Sequence, residues 1–155
     1  MGIFEWDEIY GTMETAQGGL RAAIIPSAMI GVVSWEAGEG GKGGLPHPLR
    51  EAARRAALER MESGKGDSYE GDIVGSGLAG REGATAYLQE KLWMRGWGMV
   101  HEFGLEGDGW RLRVSDPVDR FLVAGWLEAV FMAVKGRDAA LSWEDAGGEV
   151  LYRLQ

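Results

Sequence analysis

A chain of 155 residues has room for one domain and buries roughly 68–70% of the surface its unfolded form exposes, so it needs no disulfide or metal to fold. Its 24 acidic and 16 basic residues leave a net charge of −8, which sets it against polyanionic partners: a nucleic-acid backbone and an anionic membrane are both excluded as expected partners. There is no cysteine, so a disulfide framework, a thiolate zinc site and a cysteine nucleophile are excluded together.

The first stretch, MGIFEWDEIYG, is acidic and lacks the basic start of a signal peptide. The most apolar run, Leu20 to Trp35, carries Arg21 and Pro26 and is too short and too interrupted to span a membrane. A cytoplasmic protein without membrane insertion is expected. Trp6, Ile9, Tyr10 and Met13 fall at i, i+3, i+4 and i+7, which predicts a short amphipathic helix. Pro26-Ser27 opens a second predicted helix, Ala28 to Ala37, whose wall is Met29, Val32, Val33 and Trp35.

Residues 38–48, GEGGKGGLPHP, read as a flexible loop, with His47 between two prolines facing solvent. Leu49, Ala52, Ala53, Ala56, Ala57 and Met61 then form a narrow apolar stripe on a helix whose opposite face is Arg50, Arg54, Arg55, Glu59 and Glu62. A second flexible loop covers residues 63–81, followed by a helix from Glu82 to Arg95 with Gly96 at the position after the C-cap.

From Trp97 the apolar period changes from 3.6 to 2. Trp97, Met99, His101 and Phe103 are expected on one face of a strand. Trp110, Leu112 and Val114 alternate with Arg111 and Arg113 on the return strand. Asp116-Pro117 reads as N-cap and first turn of the longest helix, Asp116 to Gly136, with Val118, Phe121, Leu122, Gly125, Ala129 and Met132 facing inward. Ala139 to Trp143 and Val150 to Leu154 make a second hairpin. The fold class that follows is α+β: one four-stranded antiparallel sheet covered on one face by helices, in a single domain over 1–155.

Gly96-Trp97-Gly98 after a helix, a hairpin, a helix containing Gly125-Trp126, and an acidic residue in the next strand together resemble the 4-vinyl reductase domain family. The resemblance runs from about Ala84 to Gln155 and, more loosely, upstream. It implies a fold like that of the TRAPP vesicle-tethering subunits and the binding or sensing of hydrophobic small molecules, including aromatic effectors and tetrapyrrole precursors. Many members place a cysteine where Asp119 to Phe121 stand here, then a glutamate and two cysteines in the last hairpin, which can hold a metal. Glu144 occupies the glutamate position, but with no cysteine that metal route is closed.

Three functions compete. The first is non-enzymatic binding or sensing of a small hydrophobic ligand, aromatic or tetrapyrrole-like, in an aromatic-lined cavity, with Trp35, Trp97, Met99, His101, Phe121, Gly125 and Trp126 as the contact residues and no metal, catalytic residue or cofactor. The second is a dinucleotide-dependent reductase in which Gly75, Gly77 and Gly80 form G-x-G-x-x-G and Glu102 takes a ribose hydroxyl. Only Ile73-Val74 precedes that motif as a strand, and the strand after the helix enters a hairpin, so a plain glycine loop is the simpler account. The third is an interaction module that pairs through its aromatic face as a homodimer. The acidic clusters Glu36/Glu39 and Asp67/Glu70/Asp72 lack calcium-loop spacing and read as solvated loops.

Overall fold

The computed structural model describes residues 4–7, 12–15, 21–22, 30, 32, 34–35, 38, 47–62, 81–94 and 96–155. The glycine motif 75–80 and nearly all of the two predicted loops lie outside them.

The final part of the chain forms the predicted sheet. Strand β4 (Met99–Glu106) and β5 (Gly109–Ser115) make one hairpin, β6 (Leu141–Ala146) and β7 (Glu149–Leu154) another, and the antiparallel order is β4-β5-β7-β6. Alternation decides the faces. On β5, Trp110, Leu112 and Val114 are buried, and on β7, Val150, Tyr152 and Leu154. The opposite face carries Arg111 bonded to Glu102, Arg113 bonded to Glu149 and Arg153 bonded to Glu144, a set of cross-strand ion pairs in partial solvent.

Among the described residues, three long helices stand with this sheet: α1 (Pro48–Glu62), α2 (Arg81–Met94) and α3 (Arg120–Lys135). Val123, Ala124, Leu127, Val130 and Phe131 of α3 and Leu88 and Leu92 of α2 join the inner sheet residues in one apolar cluster. Burying each of the larger side chains contributes about 1.5–3 kcal/mol. Helix α2 ends as the glycine predicts. Gly96 has φ +65, its N–H donates to the Trp93 carbonyl, and the Trp97 N–H donates to the Leu92 carbonyl, the paired bonds of a Schellman turn.

Four sequence expectations are corrected. The amphipathic helix over Trp6 to Met13 is a pair of strands, β1 (Phe4–Asp7) and β2 (Thr12–Thr15), continued by β3 (Arg21–Ala22). Trp6 and Met13 are opposite partners there, so the i, i+7 spacing taken for a helix face serves a hairpin equally well. Helix α3 is capped by Asp119 and not Asp116: the Asp119 carboxylate accepts from the Phe121 and Leu122 N–H groups at 2.9 Å, while Asp116 sits at φ +46, its N–H bonded to the Gly148 carbonyl.

In β4, a bulge at His101 breaks the alternation: Val100 pairs with Val114 and Glu102 with Arg113. Val100 and Phe103 therefore point inward, while Met99 and His101 are exposed. Finally, Arg50 and Arg54 do not lie on a free polar face of α1. They reach α3, Arg50 to Glu128 and Arg54 to Met132 and to Asp138 just beyond its end, alongside buried Ala53 and Ala57.

Candidate functional site

Each helix end that shapes the site has a local cause. His47 precedes Pro48, the first residue of α1, and its carbonyl accepts from the Glu51 N–H. Proline at the first helical position suits this start, since its missing N–H would have no helical partner. The Asp119 cap fixes the first turn of α3 and so the direction of Arg120 and Phe121. The β6–β7 turn brings Asp145 and Glu149 to the same end of the sheet.

These pieces bound an open pocket of about 860 Å³, within the ordinary size of small-molecule sites. Among the described residues its lining is Ser34, Trp35 and Gly38 from the segment before α1, Asp116, Pro117, Asp119, Arg120 and Phe121 at the start of α3, and Asp145, Gly148, Glu149 and Val150 from the second hairpin.

The wall behind the pocket is aromatic. Phe121 is 3% exposed and sits between two rings: the His47 imidazole lies flat on it, centroids 3.7 Å apart at 4°, and Trp143 meets it edge-on at 5.3 Å. Trp143 in turn leans on Tyr152 at 6.5 Å and lies under the Arg50 guanidinium at 5.7 Å. Tyr152 donates to the Arg120 carbonyl at 3.1 Å. Burial pushes its phenol far above the ordinary tyrosine range, with the Asp119 and Asp145 carboxylates adding to the shift, so it remains a hydrogen-bond donor at all working pH values. Arg120 bonds Asp145, another lining residue, at 2.5 Å.

Arg50 holds the wall from behind. Its guanidinium makes two hydrogen bonds to Glu128, at 2.8 and 2.5 Å, on the buried side of α3. That bonding raises its pKa further above the ordinary arginine value, against the opposing effect of burial.

The residues expected from sequence are distributed as follows. Trp35, 84% exposed, and Phe121 both line the pocket. Trp126 is buried in the main cluster and Trp97 packs at its edge. Gly125 is buried where α1 crosses α3. Met99 is exposed on β4, and His101 bonds the Ser115 hydroxyl at 2.7 Å. His47, expected in solvent, is 3% exposed: Phe121 covers its ring, and Nε2 lies 3.4 Å from the Ser34 carbonyl. A proline-bounded histidine at a helix start was the available signal for its fixed position, but the ring partner is remote in sequence.

The tryptophans thus divide. Phe103, Trp110 and Phe131 form an edge-to-face set inside the core, at 5.7 and 5.0 Å, whereas Trp143 belongs to the pocket wall. Among the described residues, no group of three or more His, Asp or Glu is arranged to hold a metal ion. No helix among them is long and apolar enough to cross a membrane.

With this geometry in view, one solved structure is informative. The chain shares the fold of a sensory domain. That structure is the phenol-responsive sensory domain of the transcription activator PoxR, solved with phenol. The TM-score is 0.59 over 98% of this chain and 85% of that one, at 9% sequence identity. No protein-family model and no curated protein matches the sequence.

Proposed function

We propose that the protein is a non-enzymatic binding or sensing module for a small aromatic ligand, held in the pocket between the start of α3 and the second hairpin, and that it is a member of the 4-vinyl reductase domain family. The observation that carries this reading is the Phe121 wall, a ring supported by His47 and Trp143 and bordering an open pocket of about 860 Å³. An apolar wall beside a few polar groups is the usual lining of a small-molecule site. The likeness to a domain solved with phenol supports the same ligand class.

Trp35 and Phe121 are the contact residues this reading needs first. Trp35 is exposed and lines the pocket; in this reading it covers the bound ring. Trp97, Met99, His101, Gly125 and Trp126 would serve a larger, tetrapyrrole-like ligand only if the pocket extended well beyond its present walls.

The test is a thermal-shift series with phenol, indole, a porphyrin and reduced nicotinamide cofactors. A ligand present at about 100 times its Kd stabilises the native state by about 2.7 kcal/mol, so binding of an aromatic appears as a saturable rise in Tm. Stabilisation by a nicotinamide cofactor alone would overturn the proposal in favour of a reductase.

A further inference from the structure

The Phe121 wall has a support whose anchor lies outside the pocket. Trp143, which meets Phe121 edge-on at 5.3 Å, stands on β6, an outer strand of the four-stranded sheet among the described residues. The sheet therefore steadies it from one side, through its cross-strand neighbour Tyr152. From α1, the Arg50 guanidinium lies 5.7 Å from the centre of the Trp143 ring. The ring is half-buried, and a flat cation set over it adds a contact that the strand itself cannot supply.

Arg50 is fixed in that place. Its Nε and Nη2 donate to the two carboxylate oxygens of Glu128, at 2.8 and 2.5 Å, the two-pronged geometry that sets a guanidinium plane. Glu128 is buried on α3. A buried ion pair is weak evidence for stability, because apolar residues of similar volume often serve as well. The more particular product of this pair is the placement of the Arg50 plane over Trp143. Arg54, one turn further along α1, offers the contrast. It reaches Met132 and Asp138, toward the opposite end of α3 from Phe121.

Phe121 has other neighbours. His47, the residue before α1, lies flat on it, and the Arg120 guanidinium stands 5.1 Å away. A change at Arg50 could thus reach Phe121 through Trp143 or through a shift of α1 and His47, and a test has to separate the two routes.

We infer that Arg50 and Glu128 are positioning residues for the ligand: the pair holds Trp143 against Phe121, so the affinity of the pocket depends on an ion pair between α1 and α3. Neither residue is among the described lining of the pocket. The inference rests on the ligand-binding reading above and adds to that site two residues from behind its wall.

The experiment is a calorimetric titration of the full chain with phenol and indole, each variant held at a temperature where circular dichroism shows it folded. Arg50→Met combined with Glu128→Met removes the pair and leaves no buried charge unpaired. It is expected to weaken both probes by about five- to tenfold, the value of one cation–ring contact. Arg54→Met loosens α1 on α3 elsewhere; it should lower Tm and leave affinity within about twofold. Trp143→Leu removes the ring between the pair and Phe121. In that background the double change should weaken binding by less than about twofold further, the non-additivity expected of groups acting in series.

Unchanged affinity in the folded double variant would overturn the inference. Equal weakening by Arg54→Met would overturn it in favour of general docking of α1, and full additivity with Trp143→Leu in favour of the route through His47. If the double variant does not fold, Arg50→Lys decides in its place: an ammonium bonded to Glu128 gives up the flat guanidinium on Trp143, so the same weakening is expected and unchanged affinity overturns the inference. Absence of phenol and indole binding by the native chain would refute the ligand-binding reading and this inference with it; native binding that the double variant retains in full would refute only the role of the pair.

Discussion

Gly125 lies directly against the backbone of Arg50. A Cβ built on Gly125 would stand 2.0 Å from the Arg50 carbonyl oxygen and 2.8 Å from its carbonyl carbon, so helices α1 and α3 touch backbone to backbone at this point. The close approach also lets the Arg50 guanidinium reach Glu128, one turn further along α3. In Gly125→Ala the obstacle is a backbone atom, which cannot rotate away. The clash is expected to cost about 3 kcal/mol, against the roughly 1 kcal/mol that alanine gains over glycine in a helix, a net loss of about 2 kcal/mol that lowers Tm by roughly 4–8 °C. Thermal unfolding followed by circular dichroism checks this; an unchanged or higher Tm would show that the helices are not in contact at Gly125.

Asp119 provides a second, smaller test. Its carboxylate satisfies two N–H groups of the first α3 turn, the turn that presents Phe121 to the pocket. Asp119→Ala should lower stability by about 1 kcal/mol in urea unfolding and also weaken phenol binding. Asp116→Asn, which leaves the cap intact and suits the left-handed φ of +46 at that position, should not cause that loss of stability.

Tyr152 makes stability depend on alkaline pH. Burial raises its folded-state pKa above the ordinary value of 10.0, so the native state keeps the phenolic proton while the unfolded chain loses it. Stability from this residue is complete below pH 10 and falls as pH rises further, by up to about 1.4 kcal/mol per pH unit. Tyr152→Phe removes the dependence. Urea titrations should find the native chain's advantage over the variant narrowing by about 1.4 kcal/mol between pH 9 and pH 11. An advantage that stays constant would mean that Tyr152 ionises alike in both states.

The two hairpins and α3 were legible because their signals are local. Period-2 burial along Gly109–Ser115 and Glu149–Leu154, and the glycine at 96 that ends α2, follow from residues within a few positions of one another. The cap at Asp119 was misread because Asp116 and Asp119 each precede a plausible first turn, and only the hydrogen bonds distinguish them. Of the pocket lining, Trp35 and Phe121 were legible as aromatics, but the burial of His47 depends on Phe121 and Ser34 arriving from distant parts of the chain. Composition carries no trace of that meeting.

The bulge at His101 also bears on how the border of the sheet meets other strands. Among the described residues, strand β4 is an outer strand of the four-stranded sheet and leaves Met99 and Leu105 exposed, the kind of border on which another strand can assemble. One extra residue bends and twists that border, and the bond from His101 to Ser115 holds the irregularity in place. A chain with His101 deleted would have a straighter, more regular border, and its first symptom would be aggregation on concentration, before any change at the pocket.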